Sequence, residues 1–421
     1  MTTAKPGDTV KIITENEEFE GILMPRPEIL DENITIIKLN NGYNLGIENK
    51  KIKEIKLVKE YKTLKPKKTE IKQIKGLPNV TILSTGGTIS SKVDYKTGGV
   101  HSDYTAEDFV AMMPELANIA NLKAKKVMST FSENFSPKEW MEIAKAVEKE
   151  LNSDADGVVI TMGTDTLHFA TAAVSFLLKD LSKPVVFTAA QRSIDRGSTD
   201  SFMNLRCAIT AAAKFNAAEV MTCLHGTTND DYCLLIRGTK VRKMHSSRRD
   251  AFRPINELPL AKIKESGEIE ILNENFKEKS DNKISIHHQF EEKIGLVYVY
   301  PGIQPEVLDT YKKYKGLVIA GTGLGNVSEN LFNKIGELNM PVVITTQTFN
   351  GRVHPFVYST ERELSIRLGC IYAEDMLPET AYVKLGLVLG HTNKIEEVKK
   401  WMLENTAGEI TERSDEKSFL Y

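Results

Sequence analysis

From residue 79 onward the chain repeats one grammar, a short uninterrupted apolar run followed by a stretch with helical spacing. The runs are VTILSTGGT, GVVITMGTD, KPVVFTAAQ and EVMTCLHGT, and the intervening helical stretches are KEWMEIAKAVEKEL, HFATAAVSFLLKDL and NLRCAITAAAKF. Four or five consecutive apolar residues, with no polar alternation, need cover on both faces. That is the environment of parallel strands wound through helices. The expected body is therefore a doubly wound, parallel-sheet α/β domain. The grammar lapses in charged sequence between about Glu265 and Glu292, then resumes at IGLVYVY, GLVIAGTG and PVVITTQT, which predicts a second, smaller α/β domain. At 421 residues the chain is long enough for more than one core.

The first sixty residues read differently. VKII, EGILM, ITIIKL and NLGI are short bursts separated by turn signals, including the Asn-Gly of NNGYN. They predict a small all-β barrel. Between Lys50 and Lys75 stand eleven lysines and three glutamates around one proline, the composition of a solvated, self-repelling tether. The expected division is a β-barrel over 1–60, a lysine-rich linker over 61–76, α/β domains over 77–292 and 293–400, and a helix end with a charged tail over 401–421.

Several classes are disfavoured. No run approaches twenty apolar residues, so no membrane span is expected, and the amino terminus lacks a signal-peptide pattern. Cys207, Cys223, Cys233 and Cys370 lack CxxC spacing and read as inert core thiols of a cytoplasmic protein. His287 and His288 are adjacent and make poor metal ligands, and no metal site is expected. GTGLG at 321–325 lacks the last glycine of a dinucleotide fingerprint, and no Walker-type phosphate loop occurs. The basic run Arg237, Lys240, Arg242, Lys243, Arg248, Arg249 and Arg253 could attract a polyanion, but a local loop role is preferred.

In open parallel sheets, ligands bind beyond the carboxyl ends of the strands. Four such ends are hydroxyl-rich and are expected to face one crevice, and two of them carry candidate residues. In STGGTIS, Gly86 and Gly87 let backbone approach closely and leave Thr88 projecting. In MGTDT, Gly163 precedes Thr164, Asp165 and Thr166. Each of these three is a good helix cap, yet a cap needs one oxygen and this turn supplies three. A hydroxyl nucleophile needs a base within reach, no GxSxG elbow exists, and no histidine stands beside a candidate. A lysine remains possible, with Lys240 and Lys243 both on offer in RGTKVRKMHSSRRDAF.

The segments LPNVTILSTGGTIS, VVITMGTDTLHFAT and KPVVFTAAQR resemble the asparaginase/glutaminase amidohydrolase family, from about Leu77 to near Lys400. That resemblance implies Thr88 as primary nucleophile, with Thr164, Asp165 and Lys243 as second threonine, carboxylate and lysine. Lys243 is favoured over Lys240 because the family's lysine lies nine residues before the Phe of its motif, here Phe252. It implies substrate binding by Ser132 through the α-carboxylate and by Asp165 through the α-ammonium, with Gly87 and Gly163 lining the site. It also implies a flap tyrosine, either Tyr95 or Tyr104. Glu133 stands where secreted members carry glutamine, so glutamine versus asparagine preference stays open.

A barrel placed before such a body, together with SSRRDAF, resembles the D-subunit family of archaeal-type glutamyl-tRNA(Gln) amidotransferases. That resemblance implies a glutaminase that supplies ammonia for making Gln-tRNA(Gln) from Glu-tRNA(Gln). It further implies a homodimer flanked by two copies of the amidotransferase's E subunit in an α2β2 assembly, with ATP and Mg used by the partner and tRNA held mainly there. No cofactor is implied for glutamine hydrolysis in this chain. The alternatives are a free-standing cytoplasmic L-asparaginase and a non-catalytic RNA-binding scaffold.

Overall fold

A computed structural model describes residues 4–24, 33–40, 44–61, 73–87, 91–93, 100–102, 112–192, 194 and 198–419. Strands β1 (Thr9–Ile13), β2 (Glu18–Leu23), β3 (Ile34–Leu39), β4 (Asn44–Glu48) and β5 (Glu54–Lys59) form one antiparallel sheet in the order β4-β3-β2-β1-β5. It encloses a small core of Val10, Ile12, Ile37 and Ile47. This is the all-β unit that the short alternating bursts imply. Asp8 accepts the Tyr61 N–H at 2.8 Å, which ties the end of β5 to the start of β1.

The main sheet holds eight strands. Parallel strands β9 (Asn121–Lys126), β6 (Asn79–Ser84), β10 (Gly157–Thr161), β12 (Val185–Thr188) and β13 (Val220–His225) lie side by side. The antiparallel strands β14 (Tyr232–Arg237), β17 (Ala261–Lys264) and β18 (Ile269–Ile271) then complete the far edge. Five strands thus run parallel as the strand–helix alternation implies, and three do not. The physical reason is the connection: only a short turn joins β13 to β14, whereas a parallel return needs a crossover of about a dozen residues. Two short ribbons, β7 (Ser91–Val93) with β8 (Val100–Ser102) and β11 (Leu178–Lys179) with β19 (Ser285–Ile286), lie outside this sheet. A third pairs β15 (Val241–Lys243) with β16 (Phe252–Pro254).

Helices cover both faces. Helix α1 (Pro137–Leu151) starts where Glu139 accepts the Ser136 N–H at 2.8 Å, with proline in its first turn. Its Trp140, Ile143, Ala144 and Val147 are buried with α2 (Leu167–Leu177) on one face of the sheet. The other face takes α3 (Ser201–Lys214) through Leu205, Ile209 and Ala212. The second domain is an all-parallel sheet of β20 (Ile294–Tyr298), β21 (Gly316–Gly321), β22 (Val342–Thr346) and β23 (Ile371–Tyr372). Helices α4 (Pro378–His391) and α5 (Ile395–Leu403) bury Leu385, Val388, Val398 and Met402 against it.

Beyond α5 the charged tail is packed rather than free. Glu409 is fully buried and receives the equally buried Lys384 ammonium at 2.5 Å, while Thr411 donates to Asp375. The four cysteines are buried and unbridged. Among the described residues no helix is long and apolar enough to cross a membrane.

Candidate active site

The carboxyl ends of β6 and β10 meet. Thr85 donates its N–H and its hydroxyl to the Thr161 carbonyl at 3.0 and 3.1 Å, which draws the two loop tips together. Gly87 follows with φ +84°, and a Cβ there would fall 2.5 Å from the Gly163 nitrogen. Only a residue without a side chain permits this approach. Thr88, the next residue, and Tyr95 and Tyr104 lie outside the described residues.

The turn after β10 answers why three polar side chains end a core strand. Thr166 is the N-cap of α2, yet no side chain caps the helix. All three oxygens are engaged elsewhere. Thr164 Oγ1 accepts from Lys243 Nζ at 2.9 Å, Asp165 Oδ1 accepts from the same ammonium at 2.7 Å, and the Thr166 hydroxyl donates to the Ser132 carbonyl. Capping, the usual use of such residues, loses here to assembly of a polar cluster.

Ser132 opens a single helical turn, Ser132–Asn134, and is buried. Its hydroxyl accepts the Asp165 N–H at 3.2 Å and lies so close to Gly163 that a Cβ there would come within 2.7 Å of it. Glu133 beside it is exposed. Gly87, Gly163, Ser132, Thr164, Asp165 and Lys243 are therefore brought into one cluster. Asp165 is 65% exposed and Lys243 only 10%, so the carboxylate faces open space while the ammonium forms the floor.

The two lysines left open by sequence separate cleanly. Lys240 is buried and pairs with Asp375 of the second domain at 2.7 Å, away from the cluster. Arg242 likewise reaches the second domain, where it pairs with Glu379, and the other basic residues of this segment pair within the first domain. Arg248 and Arg253 share Asp250, Arg249 meets Asp230, and Arg237 lies between Glu219 and Glu257.

One neighbour escaped sequence reasoning. His168, in the first turn of α2, is buried, and its Nδ1 has no hydrogen-bond partner. Burial, with the nearby charges of Arg242 and Lys243, lowers its pKa to about 3, so it stays neutral. Its place two residues after the TDT turn was the available signal. Among the described residues no group of three or more His, Cys, Asp or Glu could hold a metal ion.

Comparisons with known proteins agree with this architecture. Residues 79–277 match the family "Asparaginase, N-terminal", 293–402 the "Glutaminase/Asparaginase C-terminal domain", and 4–58 the "GatD N-terminal domain". The chain is 50% identical to the D subunit of the glutamyl-tRNA(Gln) amidotransferase of Pyrococcus furiosus, covering 98% of this chain and 97% of that one. It is 47% identical to the same subunit of Thermococcus kodakarensis, over 98% and 96% of the two chains. Among solved structures, the thermostable L-asparaginase from Thermococcus kodakarensis superposes with a TM-score of 0.71 at 30% identity, covering 80% of this chain and all of that one. L-asparaginase I from Vibrio cholerae gives 0.69 at 27% identity, over 80% and 99%. With 47% and 50% identity to two of these subunits over nearly its whole length and a match to their amino-terminal domain, the chain belongs to the asparaginase-fold D subunits of glutamyl-tRNA(Gln) amidotransferases.

Proposed function

We propose that this chain is the glutamine-hydrolysing subunit of a tRNA-dependent amidotransferase, releasing ammonia that a partner, the E subunit, uses on Glu-tRNA(Gln). The observation that carries the reading is the Lys243 ammonium shared between Thr164 and Asp165, on a loop tip that packs against Gly87. Thr88 follows Gly87 in the chain and acts as nucleophile. Its hydroxyl oxygen attacks the glutamine δ-carbonyl as Tyr95 of the flap takes the hydroxyl proton. The carbon–nitrogen bond breaks and ammonia departs with a proton returned to it.

Water then attacks the glutamyl ester, activated through Thr164; the proton it gives up is relayed by way of Lys243, which Asp165 holds in register, and the Thr88 oxygen takes up a proton as its bond to the acyl carbon breaks. Asp165, largely exposed, meets the substrate ammonium, and the Ser132 hydroxyl meets its carboxylate. Glutamine hydrolysis needs no cofactor in this chain. ATP and Mg serve the partner, which activates the tRNA-linked glutamate, and two copies of each subunit make the working α2β2 assembly in the cytoplasm.

A free-standing L-asparaginase is the competing reading, favoured by the structural likeness to such enzymes over 80% of the chain. The match of residues 4–58 to the GatD amino-terminal domain favours the amidotransferase reading instead. The test is ammonia release from glutamine and from asparagine, with and without the co-purified partner and charged tRNA. Glutamine preference, stimulation by the partner and loss of release in Thr88→Ala are expected. Parental release from Thr88→Ala, or unstimulated asparagine hydrolysis, would overturn the reading.

A further inference from the structure

The segment Thr239–Lys243 lies between two domains and uses strand alternation to address both. Successive side chains of an extended strand point to opposite faces, so Lys240 and Arg242 share one face while Val241 and Lys243 share the other. Val241 is buried in the first domain's core, and Lys243 reaches Thr164 and Asp165. On the opposite face Lys240 meets Asp375 at 2.7 Å, and the Arg242 guanidinium donates to both carboxylate oxygens of Glu379. Asp375 and Glu379 stand four residues apart at the entrance to α4. The Thr380 hydroxyl adds a third tie by donating to the Thr239 carbonyl at 3.1 Å.

This anchorage answers a mechanical need. β15 has three residues and, among the described residues, pairs in a ladder only with β16, so it lies outside the hydrogen-bonded ladder of the eight-stranded sheet. A two-stranded ribbon of this size is marginal alone. Glu379 is 1% exposed in the first turn of α4, where the helix dipole favours its charge, and Arg242 also stacks 5.1 Å from the Phe349 ring centroid. Both oxygens of this buried carboxylate are reached by the single Nη1 of Arg242, a charge-assisted contact that ties β15 to the start of α4.

We infer that the paired contacts Lys240–Asp375 and Arg242–Glu379 form an ionic clasp through which the second domain fixes the reach of Lys243, making Arg242 and Glu379 positioning residues for glutamine hydrolysis. This rests on Lys243 acting in that reaction. The clasp holds the strand that carries the lysine and not the turn that carries Ser132, so loosening it degrades turnover more than substrate capture.

The test measures glutamine hydrolysis by the assembled complex carrying Glu379→Gln, Arg242→Met or Arg242→Lys, with rates normalised to folded protein by circular dichroism and gel filtration. In Glu379→Gln and Arg242→Met, kcat falls about tenfold to a hundredfold while KM moves less than about threefold. Arg242→Lys, which retains a cation, recovers part of the lost kcat. Normalised kcat within about twofold of the parent in both Glu379→Gln and Arg242→Met overturns the clasp. So does a loss wholly accounted for by unfolded protein. Lys243→Met is the control: if it keeps parental turnover, the catalytic reading itself fails. If it is inactive while Glu379→Gln is parental, only the clasp fails.

Discussion

Lys243 Nζ lies 2.9 Å from Thr164 Oγ1, across 79 residues of chain, and the same ammonium holds Asp165 at 2.7 Å. Lys240, three residues earlier, makes its ion pair with the other domain. Substitution of Lys243 should be felt first in turnover, and substitution of Lys240 first in stability. Lys243→Met is expected to lower glutamine hydrolysis by about 10²–10⁴, the usual loss for a proton-transfer group, with little change in unfolding temperature. Lys240→Met strands the buried Asp375 and is expected to cost about 3–5 kcal/mol of stability. Paired thermal unfolding and ammonia assays on the two variants check this.

Gly87 and Gly163 are expected to fail differently. Gly87 has φ +84° and a backbone neighbour where a Cβ would sit, so alanine there strains the chain by about 1–2 kcal/mol before any clash and forces the loop tips apart. Both stability and turnover should fall. In Gly163→Ala the new methyl meets the Ser132 hydroxyl instead. Its main effect should be a raised KM for glutamine, measured by steady-state kinetics.

His168 makes stability depend on pH. Its folded pKa is depressed to about 3 by burial and by Arg242 and Lys243, against an ordinary value of 6.5. Between those values the unfolded chain takes up a proton that the folded chain refuses, so acid favours unfolding. The contribution is full above pH 6.5 and is lost as pH falls toward about 3, at up to about 1.4 kcal/mol per pH unit. Denaturant titrations should show a shallower slope across this window in His168→Asn. An unchanged slope would exclude His168 as its source.

The tail after α5 should prove structural. Glu409→Ala leaves the fully buried Lys384 ammonium without its carboxylate, an imbalance expected to cost about 3–5 kcal/mol. Ending the chain at Asn405 also removes the Thr411 contacts to Asp375 and should destabilise further. Chemical denaturation of both variants measures the difference.

Much of this was legible in the chain because it depends on local pattern. The apolar runs marked β6, β10, β12 and β13, and their polar ends marked Thr164 and Asp165 as more than caps. Strand direction was not legible in CLLIR of β14, because an apolar run carries no sign of whether its neighbour runs with it or against it. The clasp and the burial of Glu409 were hidden for another reason. Lys240, Arg242, Asp375, Glu379, Lys384 and Glu409 are charged residues that composition assigns to solvent, and only their long-range partners reverse that assignment. The burial of His168 was hidden in the same way, because part of it comes from packing against Glu379, more than two hundred residues later.

The separation between the TDT turn and Lys243 has a bearing on how the protein is made. A ribosome must release more than two hundred and forty residues before that lysine can meet its threonine, and the anchors at Asp375 and Glu379 emerge later still. Domains fold as they leave the tunnel, amino-terminal parts first. Until Lys243 emerges, the turn carrying Thr164 and Asp165 has no ammonium to hold, so this polar cluster closes only after most of the first domain has emerged.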